Sequence, residues 1–395
     1  MGNGAAMLNV VIAAVIVATG AALIWPPIRK ATLWRAAITP LASIIGSGFL
    51  VLGPILDITY GAFAPVVMAA LCAVAWGLGS AIRFNIAAMD WDAAGRGRLE
   101  TLGAWALAFA YVVSVAYYLN LFGSFALRLT PFDTDFNARL VTTGMFALIL
   151  AIGWGKGFAA LERAEMISVG VKLAIIAGLL VGLGWTFAER AGAGELVAKT
   201  PDMGGWAGVT MAFGLLVTVQ GFETSRYLGA EYGAEVRIRS MKLAQAISSV
   251  IYVVYIAMFA YLFAPSAIEL DETAIIELMG RVAAILPFLL TAAALSAQFS
   301  AAVADTSGSG GLLAELTGGR VSPRTGYAIL VGCGLALTWG LGVFEIISWA
   351  SRAFAVYYAI QATLAAQAAR GGKSVLFWGL AALAAAIAIL GTPVE

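Results

Sequence analysis

Residues 36–56 form a charge-free run that is long enough to cross a lipid bilayer, yet residues that break helices lie at its centre. Gly46, Gly48 and Gly53 fall inside it, and Pro54 follows directly. In the hydrocarbon core every backbone N–H and C=O needs a partner, so an unwound segment persists there only where protein or a substrate cavity supplies one. The run therefore predicts an interrupted membrane helix with a polar binding site at its break.

The rest of the chain is equally apolar. The 395 residues are 62% hydrophobic and 11% charged, with a mean hydropathy of +0.93, which excludes a water-soluble globular domain. Stretches without Asp, Glu, Lys or Arg recur at 1–28, 36–56, 58–82, 101–127, 140–155, 173–188, 203–222, 243–268, 282–304, 325–344, 353–369 and 374–394. Since a crossing needs roughly 20 apolar residues, we predict an all-α polytopic membrane protein with about 12 transmembrane helices.

Basic residues in the connections predict the orientation, because cytoplasmic loops carry an excess of Lys and Arg. Most of the 23 basic residues lie in one alternating set of connections. The other set holds only Arg128, Arg139, Arg190, Lys199 and Arg281. Both termini are therefore predicted to face outward. The few charges in the outward loops are typical of a bacterial inner membrane.

Several classes of function are not expected. A net charge of +1 without a basic tract gives no indication of nucleic-acid binding. The sequence has no His, which removes the commonest metal ligand and rules out serine–histidine chemistry. Cys72 and Cys333 lie alone in separate spans, so no disulfide framework or thiolate cluster is indicated. We expect neither an enzyme nor a metal site or other cofactor.

The spans divide into two sets of five with one extra helix on each side. Residues 1–31 form the extra N-terminal helix, 32–187 a first repeat, 188–369 a second repeat and 370–395 a C-terminal helix. A secretory signal at 7–25 is the alternative for the first helix, but a basic n-region is missing. Five is odd, so the second repeat is inverted, and each repeat opens with a Gly-interrupted span, the second at Gly214, Gly221 and Gly229.

Four motifs, in order along the chain, resemble one transporter family, the amino acid–polyamine–organocation (APC) superfamily. Its first-helix signature is similar to 45–49 followed by Gly53-Pro54. Its sixth helix resembles 221–223 followed by 229–231. Its fifth helix, with a buried lysine, resembles 162–184, and its eighth helix resembles 295–323.

The resemblance covers roughly residues 32–369 and implies the leucine-transporter fold, a 5+5 inverted-repeat core with broken first and sixth core helices. The chain also departs from the family pattern. It has an added N-terminal span and only one span after the core. The usual Asn and Arg of the eighth helix are replaced by Gln298 and by Thr306 beside Asp305.

The two breaks predict a site for a zwitterion. Unwinding near Gly46 points N–H groups of the outer half-helix, with the positive end of its dipole, at an anion such as a carboxylate. The break near Gly221 offers carbonyls to an ammonium. Tight helix packing by small residues is the alternative explanation of these glycines. The substrate-binding candidates at the breaks are Ile45, Gly46, Ser47, Gly48, Gln220, Gly221 and Phe222.

Lys172 lies near the middle of the fifth core span, where a lysine is costly and faces a cavity or a partner. In sodium-coupled relatives a cation sits between the first, fifth and eighth helices, and in several proton-coupled relatives a lysine replaces it. The resemblance implies that Lys172 contacts first-helix carbonyls near Ser43 and eighth-helix hydroxyls such as Ser300. A static tether that never titrates is the alternative.

Three further charges lie within or near spans. Asp305 and Arg226 belong near cytoplasmic ends, where they could pair across an inner gate, although snorkelling to the interface is the favoured interpretation. Glu223 resembles the family's Glu and is a candidate proton carrier or gate residue, with a structural anchor as the alternative. Polar and aromatic residues of the third and tenth core spans could line the pocket, among them Tyr111, Tyr117, Tyr118, Asn120, Ser348, Ser351, Arg352, Tyr357, Tyr358 and Gln361. Anchoring of the aromatic residues at the membrane interface is the favoured alternative.

The sequence thus predicts a secondary active transporter of amino acids or related small amines, working by alternating access and driven by protons rather than sodium. Its partners are a small-molecule substrate, protons and the lipid bilayer. An inorganic cation, potassium or sodium, is the alternative cargo on the same fold. The sequence does not indicate the oligomeric state.

Overall fold

The structure is a computed structural model that describes residues 2–46, 48–88, 97–155, 159–264 and 271–394. Its secondary structure in these ranges is helical. The helices of the first half are α1 (Gly2–Ile24), α2 (Pro26–Arg29), α3 (Thr32–Ile44), α4 (Gly48–Tyr60), α5 (Ala64–Ala88), α6 (Arg98–Leu127), α7 (Asp135–Gly155) and α8 (Ala159–Ala193).

The second half begins with another interrupted span. The short helix α9 (Gly205–Gly214) is followed by two 3-10 segments, Leu216–Val219 and Phe222–Ala230. The remaining helices are α10 (Ala234–Phe259), α11 (Ala274–Gly280), α12 (Leu286–Leu316), α13 (Pro323–Gly340), α14 (Val343–Ala368) and α15 (Gly372–Leu390).

The all-α polytopic membrane fold is confirmed. Within the described ranges, nine helical segments are long and apolar enough to cross a membrane. The half-helices α3 and α9 and the helix α13 are not among them. The count of twelve spans therefore stays a prediction.

The long helix α6 lies at the centre of the bundle. It packs against α12, α14, α7 and α13, and most of its length is buried. The extra helices lie at the periphery, where α1 packs on α8 and α15 packs on α14. Helix α6 also lies beside the two interrupted spans, since Tyr117 contacts Gly48 and Glu100 pairs with Arg226. Helix α10 packs against both of these spans.

One boundary of the predicted repeat ranges lies inside a helix. The division between 187 and 188 falls inside α8, which continues to Ala193. Charged Glu189 and Arg190 ended the apolar run in the sequence, but both lie within the last turns of this helix, where charges are tolerated. The inverted relation of 32–187 and 188–369 remains a prediction.

The two ends of the bundle differ in their basic residues. The basic end carries Arg35, Arg83 and Arg237, and the opposite end carries Lys199. A buried ion pair between Lys199 and Asp57 ties the end of α4 to the connection after α8 at that opposite end.

Candidate functional site at the two helix breaks

The first break separates α3 from α4. Helix α3 ends at Ile44, and Ile45 has non-helical dihedrals of φ −84° and ψ 62°. Gly46 lies in a bend, while Ser47, a candidate substrate residue, falls outside the described residues. At Gly48 a Cβ would lie 2.6 Å from the Tyr117 hydroxyl oxygen and 3.1 Å from Thr218, so a larger residue would push on both neighbours.

The second break is centred on Gly221. Gln220 is extended, and Gly221 has a φ of 115°, in the left-handed region that favours glycine. A Cβ at Gly221 would lie 2.5 Å from the Ser43 hydroxyl oxygen and 2.6 Å from the Ser43 carbonyl carbon. The chain therefore needs glycine here for two reasons, its conformation and its contact with the last turn of α3. The two breaks touch each other.

Tyr252 of α10 joins the two breaks. Its buried hydroxyl lies 2.7 Å from the carbonyl oxygen of Ile44 and 2.9 Å from that of Thr218, so it can donate its single proton to either carbonyl. A break in a helix leaves carbonyls without their usual partners, and at membrane depth another side chain must satisfy them. One hydroxyl serves both breaks.

Glu223 follows the second break and is fully buried. Its Oε2 accepts a hydrogen bond from the Gly221 N–H at 3.0 Å and one from the Tyr358 hydroxyl at 2.7 Å. Its Oε1 is buried and has no hydrogen-bond partner among the described residues. The Phe222 ring stacks on Tyr358 with 5.1 Å between the ring centroids. This carboxylate is fixed on one side and available on the other.

A second carboxylate, Asp305 of α12, lies close enough to Glu223 for electrostatic interaction. It is buried and accepts a hydrogen bond from the Ser114 hydroxyl of α6. Tyr111, one turn earlier on α6, is also buried and lies 6.1 Å from Phe354 between ring centroids. Aromatic rings and two carboxylates thus surround the same region.

Gln298 lies two turns before Asp305 on α12. It is fully buried, and neither its amide nitrogen nor its amide oxygen has a hydrogen-bond partner among the described residues. A buried primary amide without partners is costly, and such groups in membrane proteins mark places where a ligand or water binds. Gln298 of α12 therefore offers an unused hydrogen-bond donor and an unused acceptor.

Lys172 approaches the first break from α8. It is 3% exposed, and its Nζ donates to the Ala42 carbonyl oxygen at 3.0 Å, one residue before Ser43. A cavity of about 10 Å³, room for about one water molecule, lies between Lys172, Gly46 and Ala297. The hydroxyl of Ser300 donates to Ala297 of its own helix at 3.0 Å, so the hydrogen bond described for it is not with the lysine.

The expectation for Arg226 and Asp305 is wrong in one respect. Neither side chain snorkels to an interface, because Arg226 is 2% exposed and Asp305 is 5% exposed. Arg226 forms an ion pair with Glu100 of α6 at 2.6 Å and also donates to the Gln361 side chain. The ion pair that the structure gives Arg226 is thus with Glu100, which lies nearer the basic end than Asp305 does.

Gln361 links this ion pair to further buried polar side chains, which together form a layer. The Asn85 amide donates to the Gln361 carbonyl oxygen at 2.9 Å and to its side-chain oxygen at 3.0 Å. Arg237 donates to the Arg226 carbonyl oxygen at 2.8 Å. Side chains of α6, α10 and α14 therefore bond to Arg226 in the segment after the second break, and Asn85 of α5 joins them through Gln361.

Comparison with known proteins identifies the family. A family model described as an APC superfamily transporter matches residues 26–391, which is most of the chain. This chain belongs to the APC superfamily. A curated protein of Aquifex aeolicus (strain VF5), described only as uncharacterized, is 42% identical to this APC superfamily transporter over 351 residues, 86% of this chain and 85% of the relative.

A solved structure has the same fold. Mhp1, a nucleobase-cation-symport-1 family transporter in a closed conformation with bromovinylhydantoin bound, superposes with a TM-score of 0.51 at 15% identity. The match covers 84% of this APC superfamily transporter and 76% of Mhp1. The family and the fold confirm the resemblance that the four sequence motifs carry.

Sequence reasoning missed four residues of this transporter's polar core. Tyr252, Ser114, Glu100 and Asn85 were not among the candidates, although each forms a hydrogen bond or ion pair described above. A polar residue inside an apolar span is the signal that could have found Ser114. Asn85 follows Arg83, outside the charge-free stretch 58–82. Tyr252 gives no such signal, because aromatic residues are common in membrane helices.

Proposed function

We propose that this APC superfamily transporter carries amino acids or related small amines by secondary active, alternating-access transport. The observation that carries the proposal is the free Oε1 of Glu223, which is buried beside the second break and has no hydrogen-bond partner among the described residues. An ammonium group offers several N–H donors and a positive charge, which together match a carboxylate oxygen that is otherwise left unsatisfied.

The second carboxylate and the aromatic rings support the same class of substrate. Asp305 adds a second carboxyl group to the region, and the rings of Phe222 and Tyr358 line it with faces that attract cations. The N-terminus of α4 at Gly48 supplies N–H groups for the carboxylate of an amino acid. An amine without a carboxylate can contact the carboxyl groups and the ring faces. An amino acid can in addition place its carboxylate at the N-terminus of α4.

For the coupling we propose protons rather than sodium. Lys172 places its ammonium against the Ala42 carbonyl beside the first break, where a bound cation would otherwise serve. We propose that this lysine carries the coupling proton in place of a bound sodium ion. Ser300 on the neighbouring helix is the proposed hydroxyl partner in another state of the cycle.

Transport of an inorganic cation remains a second candidate, and the two buried carboxylates favour it. Among the described residues, however, no group of three or more His, Cys, Asp or Glu side chains converges as a cation cage would require. The hydantoin named for Mhp1 adds nitrogen heterocycles to the compounds to be tested.

The first experiment is thermal unfolding of the purified protein with amino acids, amines, nitrogen heterocycles and alkali cations. At 100 times its Kd a ligand adds about 2.7 kcal/mol to the stability of the native state. We expect a shift with one class of amine or amino acid that Glu223→Gln removes. The matched control, Glu235→Gln, changes an exposed carboxylate of α10 and should keep the shift. A shift with potassium or sodium alone would instead establish the cation transporter.

The coupling is tested in proteoliposomes with the substrate found in that screen. Accumulation should follow a proton gradient and persist when sodium is replaced by choline. Lys172→Ala should abolish accumulation against a gradient while leaving exchange of labelled for unlabelled substrate. If the variant still accumulates substrate in response to protons, the lysine is a structural tether.

The basic end is proposed to face the cytoplasm, with both termini outward in a bacterial inner membrane. Restriction of most Lys and Arg to the connections at that end supports this orientation. Labelling of a single cysteine placed in the exposed connection between α14 and α15, from one side of intact cells, tests it.

A further inference from the structure

A wedge-shaped cavity separates the extra helix α1 from the core. Near the middle of α8 the two helices α1 and α8 are tightly packed, since a Cβ at Gly178 would lie 2.7 Å from Ile16. Toward the basic end they part, and nothing lies within 4 Å of the Cβ position at Gly170. The space between them has a volume of about 1030 Å³ and is called here the α1 crevice.

The wall of the α1 crevice is apolar along its length and open to the side. Leu23 and Ile24 of α1 face Ile167 and Val171 of α8 across it. Ile24 is 67% exposed, Ile167 71% and Val171 49%. In a membrane, side chains this exposed and this apolar lie against acyl chains rather than water.

The mouth of the crevice is positively charged. Arg29 and Arg35 line it at the basic end, and Lys30 adjoins them. All three are exposed, and the structure gives them no ion pair with a described residue. Among the described residues that line the crevice, Glu231 is the one carboxylate, so these residues together carry a net positive charge. Trp34 stands beside the arginines, as aromatic residues do at the level of lipid headgroups.

We propose that the α1 crevice binds an anionic phospholipid, with an acyl chain between α1 and α8 and the phosphate at Arg29 and Arg35. Basic pockets between membrane helices at the cytoplasmic side favour such headgroups. A soluble amine is repelled by the arginines and gains nothing from the apolar wall. Trp34 and Ile38 belong to α3, so the lipid contacts the first half of the broken helix, which carries one side of the transport site.

The headgroup contact is tested with detergent-purified protein and phosphatidylglycerol, with phosphatidylcholine as the neutral lipid. Native mass spectrometry counts bound lipids, and thermal unfolding reports their effect. R29Q combined with R35Q should weaken phosphatidylglycerol binding by about 25-fold, since each of the two basic side chains near a membrane surface contributes about a fivefold gain. R370Q combined with K373Q removes two exposed charges at the start of α15 and should leave binding unchanged. Equal losses in both double variants would overturn the proposal.

The acyl-chain contact is tested by filling the crevice without changing its charge. Gly170→Leu places a side chain into the wedge, and it should displace bound phosphatidylglycerol as the arginine variant does. Gly332→Leu of α13, where the Cβ position is equally open, is the matched control and should bind normally. Binding unaffected by Gly170→Leu, or full stabilisation by glycerol phosphate alone, would refute a lipid in the crevice. Competition by the transported substrate would instead make the crevice part of the transport path.

Discussion

The hydroxyl of Tyr252 lies 2.7 Å from the carbonyl oxygen of Ile44, the last residue of α3. The same hydroxyl lies 2.9 Å from the carbonyl of Thr218, in the other interrupted span. One side chain of α10 therefore holds both breaks at a fixed separation. Any motion that separates the breaks must move at least one of these two carbonyls away from the hydroxyl.

Tyr252→Phe tests this link. The variant leaves two buried carbonyls without the hydroxyl, and we expect a loss of roughly 1–2 kcal/mol in the free energy of unfolding, because an unsatisfied buried acceptor costs about 1–3 kcal/mol. Tyr255→Phe is the matched control, since its hydroxyl lies 3.5 Å from the Leu50 carbonyl and makes at best a weak bond. Thermal unfolding of both variants in the same detergent measures the difference. Equal stability of the two would contradict the link.

Gly221→Ala tests the contact between the breaks. The substitution combines a left-handed φ of 115° with a Cβ 2.5 Å from the Ser43 hydroxyl oxygen. We expect a loss of about 3 kcal/mol or more in stability, from backbone strain and overpacking together. The matched control is Gly318→Ala. Gly318 has a φ of 61° and no atom within 4 Å of its Cβ position, so this substitution adds only backbone strain and should cost about 1 kcal/mol of stability. Unfolding midpoints that fall equally in both variants would exclude the close contact.

The interrupted spans could be predicted from sequence because their cause is local. Gly46, Gly48 and Gly221 disrupt runs that are otherwise apolar, and membrane depth makes such a disruption rare without a function. The position of Lys172 beside the first break followed from the family resemblance. Its Ala42 partner is adjacent to the expected Ser43.

The partners of the charged residues could not be predicted in the same way. Arg226 and Glu100 are far apart in sequence and on different helices, so their pairing depends on how α6 packs beside the second break. Snorkelling was favoured because hydropathy places both Arg226 and Asp305 near the ends of spans. Hydropathy does not show which neighbours bury a side chain, and here those neighbours are polar groups of α6 and α14.

Glu100→Gln tests the buried layer at the basic end. Removing one partner of a buried ion pair leaves the other charge uncompensated, so we expect a loss of about 2–3 kcal/mol in the free energy of unfolding. The matched control is Glu235→Gln, whose partner Arg239 lies at 3.2 Å with both side chains exposed, and exposed pairs contribute at most about 1 kcal/mol. Chemical unfolding in detergent compares the two. A Glu100→Gln loss no larger than that of the control would show that the layer contributes nothing to stability.

Glu272, in the connection before α11, gives the protein a pH-dependent stability. Burial raises the pKa of its carboxyl above 4.5. A 2.7 Å hydrogen bond from Ser124 lowers this pKa, and the charge of Asp271 raises it, so the net direction is upward. The folded state therefore holds this proton to higher pH than the unfolded state does, and stability falls as pH rises from about 4.5 through the folded pKa. Glu272→Gln, which cannot ionise, should flatten this part of the stability curve, whereas Glu277→Gln, exposed in α11, should keep it. Thermal unfolding across pH 4–8 measures both, and an unchanged slope in Glu272→Gln would assign the effect to another group.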